Sequence, residues 1–188
     1  MAILKQWMSE GILTPGVFQR LSLFLDLLEE WNARVNLTGL RTRSEMEEVL
    51  IAESIAAVLV FPMSGKTVLD VGSGAGIPGM VWVIMDSTIR LTSLEIRGKK
   101  VAFQKEVQRF LSLDSEIIKG RFPEAVAARS FDVIATRAVR YSPALERQAE
   151  SLTRKGGYLL RFVAPATVES GWETRPLSSR STLLLRQI

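Results

Sequence analysis

The chain has 188 residues, 47% of them hydrophobic and 23% charged, with a net charge of +4 at pH 7. That balance fits a folded chain with a sizeable core and argues against disorder. There is no cysteine and no histidine, which removes disulfides, thiolate nucleophiles, the usual zinc and iron–sulfur sites and the commonest general base. Chemistry here must run through carboxylates, arginines, backbone dipoles and positioning, and no metal site is expected.

The longest apolar stretch, Ile55–Met63, is too short to span a bilayer, and no signal-peptide pattern opens the chain. A cytoplasmic protein without a membrane partner is the expectation. Charge is unevenly spread. Residues 1–66 carry 6 Lys+Arg against 8 Asp+Glu, and residues 67–188 carry 18 against 12. The basic excess includes Arg97, Lys99, Lys100, Lys105, Lys119 and Arg140. Such a face suits a phosphate backbone, although solubility alone explains many basic residues.

In chain order, the first sixty residues read as helix. Thr14-Pro15 is an N-cap followed by proline at the first helical position. Val17, Leu21, Phe24, Leu28, Trp31 and Val35 then recur at spacings of three and four, one apolar stripe. Ser44-Glu45-Met46-Glu47 reads as a capping box opening a second helix through Val60, stopped by Pro62. These stripes predict a helical extension, residues 1–62, packed on a sheet domain, residues 63–188.

From Thr67 the pattern alternates. Strands are predicted at Thr67–Val71, Arg90–Leu94, Glu116–Ile118, Phe131–Ala135 and Gly157–Phe162, with helices at Ile77–Met85, Gly98–Leu111 and Pro143–Leu152. This is the β/α alternation of a parallel, doubly wound α/β sheet. Ser181–Arg186 reads as a last, antiparallel strand after a short segment, Gly171–Ser179.

The most informative stretch is Val68-Leu69-Asp70-Val71-Gly72-Ser73-Gly74-Ala75-Gly76-Ile77-Pro78-Gly79. A buried strand ends in an acid and then a loop with glycine at every second position, where backbone N–H groups can approach a ligand. Glu95 ends the next strand, placed to accept hydrogen bonds from both hydroxyls of a ribose. Residues 74–79 fit the dinucleotide pattern G-x-G-x-x-G. Counting from Asp70 fits better, as D-x-G-x-G-x-G, which resembles the first motif of Rossmann-like (class I) S-adenosylmethionine-dependent methyltransferases. In that resemblance Asp70 serves the cofactor's ammonium group, and Gly72, Gly74 and Gly76 leave room for its methionine part. A carboxylate before the loop repels a pyrophosphate but not a sulfonium.

Several further blocks make the resemblance specific. Trp31-Asn32-Ala33-Arg34-Val35-Asn36-Leu37-Thr38 precedes the glycine loop. Gly98-Lys99-Lys100-Val101-Ala102-Phe103, Gly120-Arg121 and Phe131-Asp132-Val133-Ile134-Ala135-Thr136-Arg137-Ala138 follow it. In this order, over roughly residues 15–162, the chain resembles the bacterial 16S rRNA guanine-N7 methyltransferases, the glucose-inhibited division protein B family.

The resemblance implies S-adenosylmethionine as cofactor and 16S rRNA or the small ribosomal subunit as partner of a monomeric enzyme. Gly72 and Ile77 match positions lining the methionine end, Glu95 the ribose acid, and Phe122-Pro123 the pair flanking the adenine. Arg137 matches an arginine near cofactor and target base, and Arg121 a second family arginine, the two expected catalytic residues.

The residues agree with that chemistry. Guanine N7 presents a lone pair and no proton, so its methylation needs no general base, only orientation and desolvation. The chain lacks the Asn/Asp-Pro-Pro-aromatic motif of amino-group methyltransferases, having Ala135-Thr136-Arg137-Ala138 in that place. It departs from the family at Val163-Ala164, where a Lys-Gly pair is usual, at Arg180-Ser181, and near Glu53, where the family has a histidine. Arg161 is the expected substitute for the missing lysine. A small-molecule methyltransferase, a non-catalytic RNA binder and a dehydrogenase remain the other readings of the residues.

Overall fold

The computed structural model describes residues 2–188. Seven strands form one sheet in the order β3-β2-β1-β4-β5-β7-β6. They are β1 (Thr67–Val71), β2 (Arg90–Glu95), β3 (Ser115–Lys119), β4 (Phe131–Arg137), β5 (Thr153–Val163), β6 (Glu173–Pro176) and β7 (Thr182–Gln187). The first five run parallel, while β7 lies antiparallel between β5 and β6. The expected last strand is therefore present, but a further edge strand, β6, lies inside the segment read as a linker. Its Glu-Thr-Arg-Pro sequence has no apolar residue, so periodicity could not mark it.

Strand order reverses between β1 and β4, and the loops leaving them diverge at the carboxyl edge. Open α/β sheets bind ligands in the crevice so made. β1, β2 and β4 are buried almost throughout, as expected of parallel strands covered on both faces. Successive residues alternate between two apolar clusters. Val68, Leu160 and Leu183 join one, and Leu69, Leu159 and Leu184 the other.

The first cluster also takes in the N-terminal helices α1 (Ala2–Ser9) and α2 (Pro15–Val35), with α5 (Gly79–Met85) and α6 (Gly98–Leu111). Phe24 and Trp31 of α2 meet Phe103 of α6 edge-on, with centroids 6.1 and 5.7 Å apart. The predicted stripe thus packs as expected, and Thr14 Oγ1 accepts from Val17 N at 3.3 Å to start it. Against the second cluster lies α7 (Pro143–Leu152). Among the described residues no helix is long and apolar enough to cross a membrane.

The cap of the second helix lies two residues before the expected one. Thr42, not Ser44, closes the capping box, with Glu45 N donating to Thr42 Oγ1 at 3.2 Å and Thr42 N to Glu45 Oε2 at 3.0 Å. The flanking Arg43 pairs with Asp26 and Glu29 of α2. From α3 (Arg43–Glu45) the chain widens into a π-helical segment, Met46–Ala52, before α4 (Glu53–Val60), a feature frequent at functional sites.

Candidate functional site

The glycine loop is held by its own neighbourhood. Gly72 N and Ser73 N both donate to Leu94 O, at 2.8 and 3.1 Å, tying the loop to the end of β2. Glu95 completes the fastening. Its Oε2 accepts from Gly74 N at 2.9 Å and its Oε1 from Arg97 N at 2.8 Å. Gln104 of α6 donates to Ser73 Oγ and Gly74 O, both at 2.8 Å. Gly72 and Gly76 lie at φ of +70° and +74°, and a Cβ there would meet Val139 Cγ2 at 2.7 Å and Met80 Sδ at 2.6 Å. Only glycine meets both demands.

Two cavities open along this edge and share Gly72. The first, about 380 Å³, is lined by the loop with Ile77, Arg97, Lys100 and Arg137 on one side, and by Leu50 and residues 36–39 on the other. The second, about 360 Å³, is lined by Glu95, Ile96, Gly120, Arg121, Phe122 and Val139 among others. Gly72, Gly74 and Ile77 therefore face the first cavity, while Glu95, Arg121 and Phe122 face the second. Pro123 follows at the start of a short turn, Glu124–Val126. Arg121 and Arg137, expected together as catalytic residues, line different cavities.

Asp70 lines neither. Its side chain is wholly buried beneath the loop, where Oδ2 accepts from Gly79 N at 3.0 Å and Oδ1 has no partner among the described residues. Burial pushes its carboxyl up to about 7; the Gly79 bond and the charge of Arg137 oppose the rise, and Glu95 adds to it. Asp70 therefore sits behind the loop rather than in a cavity wall.

Arg137 ends β4 and its guanidinium is tied back into the protein. Nη2 donates to Glu53 Oε2 at 2.6 Å and to Val49 O, and Nη1 reaches Ser54 Oγ at 3.4 Å. The group also lies 4.9 Å from the centroid of the Phe162 ring. Burial lowers its pKa from the usual arginine range, opposed by the charges of Glu53 and Asp70. Arg161 is engaged elsewhere. It pairs with Glu169 and lies 3.6 Å from the Tyr141 ring centroid, with its side chain 12% exposed.

The Trp31–Thr38 block builds the opposite wall. Asn32 Oδ1 accepts from Thr38 N at 2.8 Å and its Nδ2 donates to Leu40 O at 2.9 Å, while Asn36 caps α2 at φ 50°. Asn36, Thr38, Arg97 and Lys100 as cavity walls, and Glu53 as the partner of Arg137, were not assigned these places from the sequence. The asparagines of the W-N-x-x-x-N-L-T block were the available signal.

Known proteins place the chain. The sequence profile of the rRNA small subunit methyltransferase G family matches residues 17–170. A Janthinobacterium protein named ribosomal RNA small subunit methyltransferase G is 33% identical over 174 residues, covering 87% of this chain and 79% of that one. Its namesake from Chromohalobacter salexigens is 34% identical, over 74% of this chain and 66% of its own length.

Solved structures agree on the fold alone. A SAM-dependent methyltransferase from Aquifex aeolicus superposes with a TM-score of 0.64 at 14% identity, over 81% of this chain and 97% of that one. A Thermus thermophilus 16S rRNA N2 methyltransferase in complex with AdoMet and guanosine gives 0.57 at 15%, over 93% of this chain and 43% of the other. The sheet is thus the Rossmann-like sheet of methyltransferases, and by its sequence the chain belongs to the rRNA small subunit methyltransferase G family.

Proposed function

We infer that this chain transfers a methyl group from S-adenosylmethionine to N7 of a guanine in 16S rRNA, acting as a cytoplasmic monomer on the small ribosomal subunit or its RNA. Family membership carries the cofactor and the RNA. The site supports them in one observation: two cavities, adjoining at a glycine with positive φ, lie at the switch point of the sheet, with Glu95 on one side and Arg137 on the other.

The cofactor fits the residues present. Glu95 holds the ribose hydroxyls, because each of its oxygens accepts only one N–H and has a lone pair left. Phe122 and Pro123 flank the adenine. Gly72, Gly74 and Ile77 would form the cradle of the methionine end, with Gly76 shaping the loop and the buried Asp70 carboxyl behind it. When bound, S-adenosylmethionine would supply an electrophilic methyl group on its sulfonium sulfur, and guanine N7, which offers a lone pair and carries no proton, would need no base.

The chain's own part is positioning. Arg137 presents N–H groups to guanine O6 or a neighbouring phosphate, since a planar guanidinium suits both. Arg121, on the adenosine side, steers the RNA backbone. The first cavity is lined by three cations, Arg97, Lys100 and Arg137, and by no carboxylate, which favours a phosphate-bearing acceptor over a neutral small molecule. Residues 1–62 form the acceptor-side wall and residues 63–188 hold the cofactor.

Calorimetry with S-adenosylmethionine, followed by a salt titration of small-subunit RNA binding, tests this reading. Cofactor binding, with RNA affinity falling steeply as salt rises, is expected, because phosphate contacts release counterions. Cofactor binding without salt-sensitive RNA binding would move the acceptor to a small molecule.

A further inference from the structure

We propose that Glu53 is a positioning residue for Arg137, and that Ser178, from the turn between β6 and β7, holds Glu53 in that role. The proposal rests on the reading of Arg137 given above.

Three segments far apart in sequence are joined by one chain of hydrogen bonds that ends on a guanidinium. Arg137 lies at the end of β4, with a side chain 13% exposed, and Glu53 in the helix after the π-helical segment is 3% exposed. Both the Glu53 carboxylate and the Val49 carbonyl, four residues apart on one helical face, accept from the same Nη2. The second Glu53 oxygen, Oε1, accepts from Ser178 Oγ at 2.8 Å. Ser178 is fixed in turn, since its Oγ accepts from Arg180 N at 2.9 Å and Ser181 N at 3.1 Å.

Physical considerations favour a positioning role over a stabilising one. A buried ion pair carries a desolvation penalty that often cancels its attraction, so stability alone is weak reason to build one. What the clamp does achieve is orientation. A free arginine side chain samples many rotamers, whereas here Nη2 is fully used and Nη1 is turned toward Ser54. The Nε–H and one Nη1–H have no partner among the described residues, and Arg137 is one of the residues lining the first cavity. An arginine held this way presents the same two donors to each arriving acceptor, and misplacement by even 1 Å is costly to a reaction that depends on alignment.

A double-mutant cycle tests this, using single-turnover methyl transfer to small-subunit RNA, calorimetric cofactor affinity and melting temperature. Glu53→Gln is expected to slow transfer about 10- to 100-fold, with cofactor Kd changed by less than about 3-fold. In an Arg137→Ala background the same substitution is expected to cost nothing further, because residues acting through one another are not additive. Losses that multiply in the double variant would overturn the proposal, as would a Glu53→Gln protein with full activity beside an impaired Arg137→Ala. Full activity in Arg137→Ala itself would instead overturn the reading of Arg137. Should Glu53→Gln fail to fold, Ser178→Ala carries the test. The expectation is then about a 2- to 5-fold slower transfer at unchanged melting temperature, vanishing in the Arg137→Ala background; a loss that persists there, or no loss, contradicts the proposal.

Discussion

The two ends of the site are built in different ways. The cofactor end is fastened by neighbours within one β-loop-α-β-α stretch. Leu94, Glu95 and Gln104 hold residues 72–74, all some 20 to 30 positions away. The acceptor end is fastened across the whole chain, with Arg137 bonded to residues 83 to 88 positions earlier and, through Glu53, to a residue 125 positions beyond that glutamate. The first arrangement is a local backbone motif that any variant of the fold can reuse. The second depends on the helical extension, the sheet and the terminal hairpin all being in place.

Breaking the long-range end should produce the largest effect. Arg137→Ala leaves the Glu53 carboxylate buried without its cation, and a loss of about 3–5 kcal/mol in stability is expected from chemical denaturation. Adding Glu53→Gln should recover most of that stability while leaving methyl transfer impaired. Recovery of neither would place the stability cost elsewhere.

Asp70 marks where the two ends meet, because its carboxyl feels both Arg137 and Glu95. Held at about 7 in the native state, against an ordinary 3.8, it keeps its proton over a range where the unfolded chain has released it. The native state therefore binds more protons, and its contribution to stability falls as pH rises through that window, by up to about 1.4 kcal/mol per pH unit. Asp70→Asn should remove this slope from denaturation curves measured at pH values between about 4 and 7. Parallel wild-type and variant curves would show that Asp70 titrates normally.

The local end is tested by a methyl group. Gly76→Ala forces a Cβ to within 2.6 Å of Met80 Sδ at φ +74°, and about 2 kcal/mol of destabilisation with weaker cofactor binding is expected. Retained cofactor affinity would mean that the loop does not cradle the ligand. The smallest effect belongs to Thr42→Ala, which removes a helix cap whose side chain lines neither cavity. It should cost about 1 kcal/mol in thermal melts and leave the rate of transfer unchanged.

This contrast also explains what was legible in the sequence. The positions of β1, β2 and β4 and the glycine loop follow from contiguous apolar runs and glycine spacing, and the extents of α6 and α7 came out as expected. Strand ends were less legible. β5 begins at Thr153, four residues before the expected Gly157, through a stretch of Arg, Lys and Gly that carries no apolar signal. The helix after the loop starts at Gly79 rather than Ile77, because the preceding residues are turned to make the cradle.

The helix cap shows a different limit. Thr42-x-x-Glu45 and Ser44-x-x-Glu47 fit the same pattern, and the choice between them is tertiary, since Arg43 is drawn toward Asp26 and Glu29. Arg137 was singled out by its strand end, but nothing local pairs it with Glu53. Likewise the field acting on Asp70 comes from burial, which no motif records.

The central claim is best tested by methyl transfer from labelled S-adenosylmethionine to small ribosomal subunits purified from a strain lacking the modification, with the label mapped to its nucleotide. The account predicts label on N7 of a single guanine of 16S rRNA. Label on an exocyclic amine, or none at all from a protein that binds the cofactor, would contradict it.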